Sequence, residues 1–305
     1  MASLTTLGVG GTASWHARVG STEQFNQALA WAEEKNLQVL YMGEGSNIVC
    51  SDDGFPGLVL QSSLTGREQN GCEVVVGGAD SLNETIEWLN ARGLGGAERL
   101  YGIPGTVAGA LVGNAGAYGQ QVSDLVVSVE VWTPNGPKVL TPGDLEFGYR
   151  HSALKSHRQW FIAACRLCLT KDCERLQEIS REILAKRLVK YPPGLRCPGS
   201  FFKNVPLEEI SEEALSRLPS EFILFGKVPA GKLLEAVGAN GVRRGDAQFA
   251  SYHGNLIVNL GSATCRDILG LTEEYSRRVW ERFAVRLEPE VLILNEAATG
   301  PAGGG

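Results

Sequence analysis

Apolar positions along this chain follow two periods, one helical and one extended, that take turns. Helical spacing appears after Ser21, where Phe25, Leu29 and Ala32 lead to Asn36 and Ser21 with Gln24 resembles a capping box. It returns after Asp80 or Ser81, with Leu82, Ile86 and Leu89 facing inward until Gly93 stops the helix. A third helix is expected over 174–191, with Leu176, Ile179, Ile183 and Leu184 on its core side and Pro192-Pro193 ending it. Two more are expected over 229–237 and 265–283, the last offering Ile268, Leu271, Tyr275 and Val279. Strand patterns lie between the helices at 38–42, 58–61, 73–76, 125–133, 160–169 and 255–259, and a closing strand is expected to contain Leu287 to Val291. Within 160–169, Phe161, Ala163, Cys165, Leu167 and Leu169 alternate and are expected on one face.

These elements mix as an α+β chain of three units, 1–62, 63–172 and 173–295, with the last boundary just before the third helix. Residues 296–305 carry no periodicity and are expected to be disordered. Length changes this picture little: 305 residues at 43% hydrophobic content supply a sizeable core. Charge narrows the partners. A formal charge of −6 with no basic run argues against nucleic acid or an anionic membrane surface and favours a small ligand. No stretch reaches ~18 consecutive apolar residues and no basic start precedes an apolar run, so the expectation is a cytoplasmic protein without a membrane span. Seven cysteines, an odd number, suit free thiols in a reducing compartment. Cys165, Cys168 and Cys173 lack a nearby histidine and zinc-type spacing, so no metal site is expected.

Candidate chemistry starts at 102–119, GIPGTVAGALVGNAGAYG, which holds six glycines and no charged residue. Such a backbone can lie against a large flat group, because glycine removes the side chain that keeps a ligand away. A second glycine segment, Gly43-Glu44-Gly45-Ser46-Asn47, follows a predicted strand. Together they suggest a phosphate-bearing cofactor. Two other glycine motifs are discounted. Gly8, Gly10 and Ala13 match G-x-G-x-x-A, but no strand precedes them, and 226–232 resembles a P-loop with Leu233 where a magnesium-binding Ser or Thr is needed.

Tyr149-Arg150, Ser200, Lys203-Asn204 and Glu290 are individually weak signals, and their order carries the meaning. With the two glycine segments that order resembles the MurB family, UDP-N-acetylenolpyruvoylglucosamine reductase, from about Leu7 to Leu294. The motifs are GxGSN at 43–47, GIPGTVxGA at 102–110, NAGAYG at 114–119, FGYRHS at 147–152, GSFFKN at 199–204 and LEPEV at 287–291. The resemblance implies an FAD-binding fold of the vanillyl-alcohol-oxidase (PCMH) type in two subdomains, followed by a C-terminal α+β substrate-binding domain. It implies that NADPH reduces FAD and that the flavin reduces the enolpyruvyl ether of UDP-N-acetylglucosamine to UDP-N-acetylmuramate, a peptidoglycan precursor. Under it, Gly43, Gly45, Ser46, Asn47, Gly102, Ile103, Pro104, Gly105 and Thr106 hold the cofactor. Gly109, Ala110, Asn114, Gly116 and Ala117 flank it further along.

Peptide N–H groups in the first set suit pyrophosphate without a lysine. Adding hydride to the enolpyruvyl bond leaves negative charge beside a carboxylate. By resemblance Arg150 forks onto that carboxylate, Glu290 donates a further hydrogen bond when protonated, and Ser200 gives the proton that completes the reaction. Tyr149, Lys203 and Asn204 are assigned to substrate, with Asn204 at the nucleotide diphosphate and Tyr118 as a further pocket wall. The chain departs from the pattern at Val205, at Cys197-Pro198 and at Ala108, and it carries an extra segment at 206–225, either a helix-forming excursion or part of a lid. No separate tyrosine loop is seen, which matches the shorter branch of the family. Two other functions are weighed: a different FAD-dependent oxidase or dehydrogenase on the same fold, and a UDP-sugar-binding protein without flavin.

Overall fold

A computed structural model of the chain describes residues 1–157 and 159–294; the tail expected to be disordered lies outside the described residues. The chain divides into two compact units. The larger comprises Ala13–Glu44 and Pro56–Pro192, and the smaller comprises Met1–Thr12, Gly45–Phe55 and the chain from Pro193 onward.

The larger unit has two apolar cores. One is built by a three-stranded sheet in which Phe55–Ser62 lies between Ala13–Val19 and Val39–Met42, the last pair parallel. The helix Thr22–Glu34 covers it with Phe25, which is fully buried. Ser21 caps that helix by accepting from Gln24 N, but Gln24 Oε1 accepts from Gly20 N (2.8 Å) rather than from Ser21 N. The second core lies under a five-stranded antiparallel sheet in the order Gly136–Leu140, Val126–Thr133, Phe161–Cys168, Glu73–Gly77, Arg67–Asn70. Leu82–Asn90 packs there with Ile86 and Leu89, and Ser81 is its cap. Asp80, the other candidate for that cap, instead accepts from Gly66 N and Gly77 N and pairs with Arg67 at 2.8 Å.

Alternation in Phe161–Cys168 does not hold one face. A register shift between Ile162 and Ala164 inserts an extra residue, so Phe161 and Ala163 join the first core while Ile162, Cys165, Leu167 and Leu169 join the second. A bulge of this kind moves every later side chain to the other face. The third helix begins at Leu176 rather than 174, and it belongs to the larger unit: the division falls after Pro192, not before the helix. Its Ser180 explains the attachment, since Ser180 Oγ donates to Glu98 O (3.1 Å) and accepts from Asn90 Nδ2 (2.8 Å).

The smaller unit surrounds one core of Phe201, Phe249, Ile257, Leu233, Leu271 and Tyr275. Its longest element, Cys265–Phe283, is capped reciprocally by Thr264 and Asp267. The strands Arg243–Arg244, Ala247–Ala250 and His253–Asn259 form an antiparallel sheet beside it. LEPEV is not a strand. Pro289 has no N–H to give a ladder, so regular pairing begins at Leu292–Leu294, which runs parallel to Ile48–Cys50. The extra segment at 206–225 is a helix-forming excursion: the helix Glu212–Arg217 lies between two short 3-10 turns, and Ala214 and Phe222 reach the core. In the P-loop-like run, Lys232 Nζ donates to Glu221 O (2.6 Å), a structural use. Among the described residues no helix is long and apolar enough to cross a membrane.

Candidate active site

In the larger unit the two glycine segments meet at one atom. A Cβ on Gly43 would come within 2.8 Å of Thr106 Oγ1, and Gly43 O accepts from Gln61 Nε2 at 2.7 Å. Thr106 is the cap of the short helix Val107–Val112, where its hydroxyl accepts from Gly109 N (3.1 Å). That helix buries Val107, Ala110 and Leu111 and leaves Gly109 exposed. Upstream, Asn83 clamps the turn: its Oδ1 accepts from Gly102 N (2.6 Å) and its Nδ2 donates to Ile103 O (3.1 Å). Gly105 O accepts from Leu82 N, which ties the same turn to the second core. Pro104 is exposed at its tip.

Past that helix, Gly116–Ala117 and Gln120–Gln121 pair as a small hairpin. Arg150 reaches it, donating from a terminal nitrogen to Gly116 O at 2.8 Å. The backbone at Arg150 is left-handed (φ 54°), within a turn where Gly148 and His151 exchange both hydrogen bonds. A non-glycine residue in that region costs on the order of 1–3 kcal/mol, so the turn must be held from outside. Two side chains hold it. Asn114, 1% exposed, donates to Gly148 O (2.9 Å), and Lys155 Nζ donates to Arg150 O (2.6 Å). Asn114 Oδ1 also accepts from Ser123 N, so its amide is committed to the protein. Tyr149 stands beside the guanidinium, 5.4 Å from ring centre to Arg150 Cζ.

In the smaller unit Ser200 bridges Leu256, and the two residues after it, Phe201 and Phe202, pair with the segment that carries Glu290. Glu290 N donates to Phe201 O (2.7 Å), and Lys203 N donates to Glu288 O (2.9 Å). The Ser200 and Glu290 side chains are half-buried. Buried Asn255 fixes the strip carrying Ser200, accepting from Phe202 N and donating to Phe202 O, each at 2.8 Å. Asn47 Nδ2 donates to Glu290 O (3.1 Å), and Asn47 O accepts from Leu292 N, so the end of the first glycine loop supports the acid. Lys203 pairs with Glu288 at 3.0 Å. Asn204 Oδ1 accepts from Ala230 N (3.2 Å), ahead of the helix Ala230–Ala236. Burial pushes the Cys197 thiol, three residues before Ser200, above its ordinary pKa.

Of the predicted cofactor residues, Gly43 and those from Gly102 to Ala117 stand in the larger unit with Tyr149 and Arg150. Gly45, Ser46 and Asn47 stand in the smaller one with Ser200, Lys203, Asn204 and Glu290. Asn83, Lys155 and Asn255 were not anticipated. Only Asn255 carried a signal, as a polar residue inside the apolar run NLIVN.

Comparison with known proteins decides what this arrangement belongs to. Residues 13–140 match a family model described as FAD binding domain, and residues 191–294 match the UDP-N-acetylenolpyruvoylglucosamine reductase C-terminal domain. A UDP-N-acetylenolpyruvoylglucosamine reductase from Solibacter usitatus is 37% identical over 94% of this chain and 92% of its own length. The chain belongs to this reductase family. A second member, from Synechococcus sp. strain JA-3-3Ab, is 35% identical over 96% of this chain and 89% of its own. The crystal structure of the MurB enzyme from Thermus caldophilus shares 31% identity and a TM-score of 0.76, covering 96% of this chain and 97% of that one.

The residues present fit the family's flavin. At Gly109 an added Cβ would meet nothing closer than Thr106 Oγ1 at 3.5 Å, so backbone is reachable on the exposed side of its helix. From 102 to 119 no carboxylate occurs to repel phosphate.

Proposed function

We propose that this chain is an NADPH-dependent flavoenzyme that reduces UDP-N-acetylglucosamine enolpyruvate to UDP-N-acetylmuramate for peptidoglycan precursor synthesis. FAD, when bound, supplies the ring that takes hydride from NADPH and passes it to the enolpyruvyl carbon. Peptide N–H groups of 43–47 and of Gly105 and Thr106 would hold its diphosphate, while Asn83, which takes up the Gly102 N–H, and Thr106 keep the second loop in shape. Gly109, Ala110, Asn114, Gly116 and Ala117 are the residues that would flank its ring and ribityl parts. Arg150 forks onto the substrate carboxylate, where negative charge builds. Glu290 in its protonated form donates a further hydrogen bond to the same group. Ser200 hands its hydroxyl proton to the remaining carbon, and Asn204, Lys203 and Tyr149 orient the nucleotide end and the sugar. Asn114 contributes by positioning, because its amide is spent on Gly148 and Ser123. Seven cysteines without a disulfide suit the reducing cytoplasm, where this reading puts the reaction.

The observation that supports these roles best is the hydrogen bond from Glu290 N to the carbonyl of Phe201, the residue after Ser200, which joins two segments far apart in sequence within the smaller unit. Ser200→Ala is expected to keep FAD and its reduction by NADPH while losing turnover of the enolpyruvyl substrate by about 10²–10⁴-fold, the usual worth of a general acid. Anaerobic stopped-flow absorbance separates the two half-reactions. Full turnover in the variant would remove Ser200 from the proton-donating role.

A further inference from the structure

Arg187 is a basic side chain that the proposed reaction does not use. It projects from the helix Leu176–Lys190 across the turn that opens the second glycine segment: a Cβ on Gly102 would lie 2.9 Å from Arg187 Cδ and 3.1 Å from its Nε. The Nε is buried and has no hydrogen-bond partner. Only two other described side-chain atoms share that condition, and their groups are satisfied elsewhere: Arg67 pairs with Asp80, and Asn90 donates to Ser180. Arg187 has no such compensation. Among the described residues its guanidinium makes no hydrogen bond and no ion pair, and its surroundings are the Tyr191 ring at 5.3 Å, Tyr118 and the like-charged Arg150. Desolvation is the largest influence and disfavours the charge; Tyr191 and then Tyr118 offset part of it, and Arg150 adds a smaller opposing effect.

A guanidinium taken out of water without an acceptor is costly, and a neighbouring guanidinium adds to the cost. Packing over Gly102 does not require it, since an unbranched apolar chain would cover the same backbone. What an arginine adds is a planar fork of donors matched to two oxygens of one anion. The terminal nitrogens are absent from the buried unpartnered atoms although they make no bond to described residues, so they retain solvent access.

We propose that Arg187 is an anion-binding residue of the Gly102 turn, its terminal nitrogens clasping a phosphate or carboxylate oxygen pair of a molecule bound there. The inference rests on the proposed function, which offers two sources of that chemistry: the diphosphate of FAD, or the diphosphate or carboxylate of the UDP-sugar substrate. Arg187→Met keeps the stem over Gly102 and removes the charge; Arg187→Lys keeps the charge and removes the fork.

Apoprotein titrated with FAD, followed by flavin fluorescence, gives one affinity. Holoprotein titrated with UDP-N-acetylglucosamine enolpyruvate, followed by the flavin absorption band, gives the other. Arg187→Met is expected to melt at or above the wild-type temperature and to bind one of the two at least tenfold more weakly, with Arg187→Lys in between. Weaker FAD identifies the cofactor as the source, and weaker substrate with normal FAD identifies the substrate. If both variants bind both molecules within twofold of wild type, or if the methionine variant melts lower with binding intact, the assignment is overturned and Arg187 is structural. Wild-type protein that takes up no FAD would overturn the proposed function, and this inference with it.

Discussion

Residues 43–47 and 102–119 read alike as sequence, both glycine-rich and both following a core element, yet their glycines are small for different reasons. Gly45 is buried and left-handed (φ 64°), and a Cβ there would lie 2.2 Å from Leu4 O and 2.9 Å from Thr5 Cα. The protein's own N-terminal segment forbids a side chain at that point. Gly109 is exposed, and an added Cβ would make an ordinary contact at 3.5 Å. Nothing within the chain forbids alanine there. A glycine that the fold requires marks packing, whereas one that the fold would let go marks a surface kept bare for something else.

The largest effect is expected at Gly45. Gly45→Ala combines a strained backbone with a clash against main chain and should cost on the order of 3 kcal/mol, read in a denaturant melt. A loss below about 1 kcal/mol would mean that the N-terminal segment yields easily, and the contrast with Gly109 would dissolve.

Asn83→Ala comes next. It strips the Gly102 N–H of its 2.6 Å acceptor and should cost about 1–3 kcal/mol. An unchanged melt would show that the second segment holds its shape without a clamp. Gly109→Ala should give the smallest change in stability, a gain of about 0.5–1 kcal/mol from helix propensity. The same variant should weaken FAD at least about tenfold, a loss of roughly 1.4 kcal/mol. Normal FAD affinity there would mean that the bare backbone serves no ligand.

The unanticipated parts of the site share a physical cause. Arg150 was legible as a residue type, but its left-handed backbone and the two side chains that hold it, Asn114 and Lys155, are products of tertiary contact. Asn114 reads as a ligand residue because it sits in a glycine motif, and its buried amide instead ties that motif to Gly148. A boundary just before the third helix makes that helix the start of a new unit in the sequence reading. It is held in the larger unit by Ser180, a polar residue that a periodicity of apolar positions cannot weigh.

Local signals alone determined the elements whose energy is local. The helix Cys265–Phe283 is delimited by its Thr264 cap and its apolar stripe, and Leu82–Asn90 by Ser81, because caps and i, i+4 neighbours act within one or two turns. The order of the motifs likewise carries the resemblance to the family in the sequence alone. Tertiary structure decided whatever depends on partners far along the chain. It split the alternation of Phe161–Cys168 between two cores, laid Leu292–Leu294 parallel to Ile48–Cys50, and set Arg187 over Gly102. Strand register and the fate of a buried charge are settled by what stands opposite, and distance in sequence hides that neighbour.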